Sequence, residues 1–188
     1  RKIIEPVDRV IINGDFWDGY LTSFDKFVNS EWQKLFPLLK EKQTIYLYGN
    51  HDKTKWCDSR VNLFSVKQQK VLKMKFKDKE LVIQHGGSIK KAIGDQFHWA
   101  HNPILCYVGL NSRRVITRLL GPFFIKIFLP AIRTHVAMKK WAKKKMNKNQ
   151  ILIASHSHRA YFKPEEKYIN TGFVNGSHAQ YLIIDEDK

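Results

Sequence analysis

The 188-residue sequence holds only two cysteines, Cys57 and Cys106, and 17 acidic residues. Two cysteines outside any CxxC pair build neither a disulfide framework nor a thiolate zinc site, and they fit a reducing compartment. Their simplest reading is as small buried side chains. No signal-peptide pattern follows Arg1. The longest apolar stretch, Leu119 to Ile132, is interrupted by Lys126 and falls short of the ~20 residues a spanning helix needs. There is no long internal repeat, and the aliphatic and aromatic content is that of a folded domain rather than a disordered chain.

Acid is scarce relative to base. Against 33 Lys and Arg the 17 Asp and Glu leave a net charge of +16. That excess favours anionic partners: nucleic acid, nucleotides, phospholipid headgroups or phosphorylated substrates. It is also local, because residues 88 to 149 carry thirteen Lys and Arg with Asp95 as the one acid, which is +12 of the total.

Along the chain, "DRVIING" (8–14) reads as a buried strand and Ser23 to Lys40 as an amphipathic helix; "QTIYLYGN" (43–50) reads as a second strand. Strand, helix, strand is a βαβ unit, and open α/β sheets place their sites just past the strand ends. Short β-rich pieces follow: "NLFSV", "VLKMKF", "KELVIQHGG" and "QILIASHSH", with "KYINTGF" and "AQYLIIDED" as a closing pair. The expected fold is α/β, a two-sheet sandwich flanked by helices, forming one domain over residues 1–188. The basic segment at about 88–149 interrupts it as a helical insert, two or three helices broken near Pro122 and Pro130. Its apolar side chains either pack on the core as an ordinary helical subdomain or form an interfacial lid whose cations meet phosphates.

Four polar clusters follow apolar runs: "NGDFWD", "GNHD", "QHGG" and "SHSH". Together they supply Asp15, Asp18, Asn50, His51, Asp52, His85, His156 and His158. Carboxylate, amide oxygen and imidazole suit divalent Mn, Fe or Zn without thiolate selectivity. His98 and His101 in "FHWAHN" read as surface or packed residues, and His135 and His178 receive no role.

In this order, GDxxD, GNHD, a His-Gly pair and [G/S]HxH resemble the calcineurin-like metallophosphoesterases, from about Val7 to the C-terminus apart from the insert. The resemblance implies two divalent metal ions, Mn above all, and a metal-bridging hydroxide that attacks phosphorus. It makes Asp15 the carboxylate between the ions. Asn50, His85 and His156 become the further ligands of the second ion, and His158 a ligand of the first. His51 becomes the non-ligand histidine at the leaving oxygen, with Asp52 orienting it and Asp18 structural. The family's opening Asp-x-His motif does not precede "DRVIING", and truncation upstream of Arg1 is the expected reason. Ser155 stands where the family usually has Gly.

"SHSHRAYFKPEEKYINTGF" further resembles the branch containing the UDP-diacylglucosamine pyrophosphatases, whose helical insert covers acyl chains and docks on membranes. His51 stands where that branch carries Arg. The expected function is therefore metal-dependent hydrolysis of a phosphodiester or pyrophosphate bond in a lipid-linked or nucleotide-linked substrate, by a cytoplasmic protein peripheral to the inner face of the membrane. The alternatives are a nuclease or nucleotide phosphodiesterase, with nucleic acid as the partner, and a non-catalytic binding module on the same fold.

Overall fold

A computed structural model of the chain describes residues 1–90, 103–175 and 178–185. His98 and His101 lie outside the described residues. The chain divides into two compact units, Arg1–Val71 and Leu72–Lys188.

The first unit is the expected βαβ arrangement. Strand β1 (Ile11–Asn13) pairs in parallel with β2 (Ile45–Leu47), in the register Ile11 to Ile45 and Asn13 to Leu47. Strand β3 (Lys67–Gln69) pairs in parallel on the other side of β2. The crossover is not one helix but three short pieces: α1 (Phe24–Val28), a 3-10 helix (Glu31–Leu35) and α2 (Phe36–Glu41). Its side chains divide it. Asn29 donates to the Asp25 carbonyl at 2.9 Å, and Ser30 donates to the Phe27 carbonyl at 2.7 Å while accepting from Trp32 N–H at 3.3 Å. Such local bonds compete with a continuous helical ladder, and Pro37 can donate to none. The pieces still bury the apolar residues whose spacing marked a helix, with Phe24, Phe27, Val28, Phe36 and Leu39 packing around Trp17, Tyr46, Val61 and Phe64.

"NLFSV" forms no strand. Asp58 accepts from the Arg60 N–H at 2.9 Å and starts a 3-10 helix over Ser59–Leu63, which delivers Val61 and Phe64 to the core.

The second unit holds a five-stranded sheet in the order β4 (Val71–Phe76), β5 (Lys79–Gln84), β6 (Gln150–Ala154), β8 (Tyr168–Asn170), β7 (Tyr161–Lys163). Strands β5, β6 and β8 run parallel, and β7 is antiparallel to β8. The closing pair is smaller than expected: Val174–Asn175 (β9) pairs with His178–Ala179 (β10), and the described part of "AQYLIIDED" beyond it is not a strand.

Between β5 and β6 lie α3 (Pro103–Leu120), α4 (Pro122–Ile127) and α5 (Leu129–Lys145), broken at the expected prolines. Helix α5 packs as an ordinary core helix: Met138, Ala142 and Met146, one turn apart, sit with Val82, Leu152 and Tyr168. Helices α3 and α4 do not follow suit. Leu119 is 77% exposed and Ile104 72%, with Val108, Val115 and Phe123 also exposed. Among the described residues no helix is long and apolar enough to cross a membrane.

Candidate metal centre

In the first unit, β1 and β2 are parallel, so the residues that follow them leave the same end of the sheet. Gly14 and Asp15 both have positive φ, 78° and 54°, which turns the chain sharply at the strand exit. The left-handed region costs a non-glycine residue energy, though Asp tolerates it better than most. The neighbouring exit loop binds the turned residue: the His51 backbone N–H donates to Asp15 Oδ1 at 2.9 Å.

Asp52 joins the two loops. Its carboxylate accepts from Phe16 N–H at 2.8 Å and from Gly49 N–H at 2.5 Å, and the side chain is fully buried. Burial, then the charge of Asp15, raises its pKa, and these hydrogen bonds oppose that rise. A Cβ on Gly49 would fall 2.2 Å from Asp15 Oδ1 and 2.6 Å from the Asp15 nitrogen, so only glycine lets the loops close this tightly. Asp52 is expected to face His51, but the His51 ring meets Asp18, Nδ1 to Oδ1 at 3.1 Å. Asp52 fastens backbone instead. "GDFWD" carried the signal for Asp18, but spacing alone did not separate the two aspartates.

In the second unit, β5 and β6 are again parallel, with Ile83 opposite Ile153. His85 and the "SHSH" loop therefore emerge side by side. The His85 carbonyl accepts from the N–H groups of Ser155 at 3.1 Å and His156 at 3.0 Å. Both rings are buried, with His85 Nε2 3.1 Å from His156 Nδ1, and Ser155 Oγ lies 3.1 Å from His85 Nδ1. Ser155 thus does not break the turn, and its hydroxyl gives His85 a partner of the kind that orients metal-ligating imidazoles. His158 takes a left-handed φ of 59°, its N–H donates to the Ser155 carbonyl at 2.8 Å, and its ring stacks on Phe173. Asn170 donates to Ser157 Oγ at 3.0 Å and so braces the same loop.

These groups fit divalent ions. Two adjacent buried imidazoles cannot both be charged without strong repulsion, and a neutral imidazole is a group able to ligate a metal. The carboxylate of Asp15 and the amide oxygen of Asn50 in the first unit are donor types that likewise suit Mn, Fe or Zn. Cys57 is no part of it: burial pushes its thiol up to about 11, so it is protonated at neutral pH.

A mixed α/β chain with two main sheets flanked by helices, carrying Asp, Asn and His clusters at the ends of parallel strands, has the make-up of a metal-dependent phosphoesterase. The model of the calcineurin-like phosphoesterase family matches residues 1–176, and the chain belongs to that family. The family's chemistry is metal-dependent phosphoester hydrolysis on a phosphate-containing substrate. No curated protein matches the chain at a significant level.

Proposed function

We propose that the chain hydrolyses a phosphodiester or pyrophosphate bond in a lipid-linked or nucleotide-linked substrate. The observation that carries this reading is the setting of His51, a histidine held by a carboxylate in a loop tied to Asp15. A chain that only bound a partner has no evident need for a histidine so placed.

Asp15, Asn50, His85, His156 and His158 are the residues that would hold two divalent ions, Mn foremost. When bound, such ions polarise a water and clamp the phosphoryl oxygens during in-line attack. The protein's own residues do the rest. Asp18 accepts from His51 Nδ1–H and stabilises the imidazolium, which makes Nε2 the nitrogen that gives a proton to the leaving oxygen. Asp52 keeps the two loops at fixed spacing. Ser155 fixes the orientation of His85.

For the substrate class, the exposed apolar residues of α3 and α4, with Arg118 and Lys126 among them, support an insert that meets acyl chains or an anionic membrane surface. This agrees with the likeness of the C-terminal motifs to the UDP-diacylglucosamine pyrophosphatase branch, and supports a peripheral position on the cytoplasmic face of a membrane.

The test is hydrolysis of bis-p-nitrophenyl phosphate with added Mn²⁺ by the wild type, His51→Ala and His85→Ala, with and without anionic vesicles. Mn-dependent turnover is expected, reduced about 100-fold or more in His51→Ala, the scale of general acid catalysis. Anionic vesicles should bind the protein. Absence of turnover with any divalent ion would favour the binding module. Nucleic-acid affinity that falls steeply with salt, without vesicle binding, would favour the nuclease.

A further inference from the structure

The loops that carry His51 build a feature that the scheme above does not use. Asp18 Oδ1, which faces His51, also accepts the Tyr20 N–H at 3.2 Å. The Gly19 N–H donates to the His51 carbonyl at 2.7 Å. A Cβ on Gly19 would lie 2.4 Å from Trp56 Cε3 and 2.8 Å from that carbonyl, so a glycine is required where the loops touch. Tyr20 is thereby set edge-on to the His51 ring, centroids 5.0 Å apart, and to the Trp56 ring at 5.1 Å.

Lys53 closes the cluster. Its Nζ lies 5.1 Å from the Tyr20 ring centroid and 4.6 Å from that of Trp56, and it donates to Tyr20 Oη at 2.9 Å. A lysine usually keeps its ammonium in bulk water, but this one is half-buried and held by the Trp56 ring and the Tyr20 phenol. Among the described residues no carboxylate pairs with it, so its charge is not neutralised locally. One of its three N–H groups goes to Tyr20, leaving donor capacity for an anion. The Tyr20 ring is set edge-on to both His51 and Trp56, and the ammonium lies over the Trp56 ring. The cluster therefore presents a fixed positive charge rather than an aromatic platform.

We infer that Lys53, held by Tyr20 and Trp56 beside His51, is a subsite for the departing phosphate of a pyrophosphate-type substrate. The inference rests on the proposed role of His51 at the leaving oxygen. A phosphate leaving group gains charge-assisted hydrogen bonds from Lys53, and a phenol or alcohol gains far less.

The test needs no turnover. Calorimetric titration with AMP, with adenosine as control, is made in metal-free buffer on the wild type, Lys53→Met and Lys53→Arg. Methionine keeps the apolar stem against the rings, and arginine keeps the charge. Wild type should bind AMP at least about tenfold more tightly than adenosine, and Lys53→Met should lose at least about tenfold, the scale of one hydrogen bond to a charged group. Lys53→Arg should recover part of the loss. In parallel, the ratio of kcat/KM for ADP-ribose to that for bis-p-nitrophenyl phosphate should fall about tenfold in Lys53→Met. AMP binding that is absent, matched by adenosine or indifferent to Lys53 would overturn the inference, as would an equal loss on both substrates. Lack of metal-dependent turnover by the wild type would instead count against the hydrolase reading, with the AMP titration still deciding for or against the subsite.

Discussion

At the residue scale, the strand-exit loops of the first unit depend on contacts too short for any side chain but hydrogen. Gly49→Ala would put a methyl group against the Asp15 carboxylate and backbone nitrogen. Backbone cannot swing aside as a flexible side-chain end can, so the variant should lose about 1–3 kcal/mol of stability, the usual cost of overpacking. It should also lose most metal-dependent activity. Urea unfolding together with the nitrophenol assay checks both, and a stable, fully active Gly49→Ala would mean that the loops are not built around this contact. The chemically active residue types were legible in the sequence because Asp, Asn and His past strand ends have no packing reason to be there. Which aspartate faces His51 was not legible. Asp18 and Asp52 lie 33 residues and one residue from it, and which carboxylate meets the ring and which meets backbone N–H groups depends on how the two exit loops fold.

At the scale of elements, parallel strands and their exits followed from buried β-branched runs, whereas the crossover helix and "NLFSV" did not. In both failures a polar side chain captured a nearby backbone group, at Asn29 and Ser30 in one and at Asp58 in the other, and short-range bonds of this kind leave little periodic trace. The described part of the insert is helical, but composition does not say which of its helices packs. Helix α5 does, and it carries a buried histidine between the rings of Tyr161 and Tyr168. Burial, and then the charges of Arg159 and Lys139, push His135 down to about 4 against an upward pull from Glu166. Glu166 itself pairs with Lys139 and accepts from Tyr161 at 2.6 Å. Since the unfolded chain protonates His at about 6.5, it takes up a proton that the native state refuses between that pH and 4. Stability should therefore be unaffected by this group above pH 6.5, fall as pH drops to about 4, and level off below. Allowing for solvent screening of the surface cations, the loss is about 1–2 kcal/mol. Comparison of urea midpoints across this range for wild type and His135→Asn reads the effect, and an identical pH slope in the two proteins would refute it.

At the scale of the whole molecule, charge and motif order carried more information than any single element. The +16 net charge favours anionic partners, and the series of clusters points to phosphoryl chemistry, in agreement with a family match over residues 1–176. What composition could not supply was the division into two compact units, which depends on long-range contacts, or the contrast between a buried α5 and an exposed α3. The central claim is that Asp15, Asn50, His85, His156 and His158 hold metal. The measurement that tests it most directly is metal content and Mn²⁺ affinity of the purified protein, by elemental analysis and calorimetry, for wild type, Asp15→Asn and His156→Ala. The account predicts stoichiometric divalent metal in the wild type and at least about a tenfold loss of affinity in each variant while all three remain folded. A folded wild type without measurable affinity for Mn²⁺, Fe²⁺ or Zn²⁺, or affinity unchanged in both variants, would contradict it.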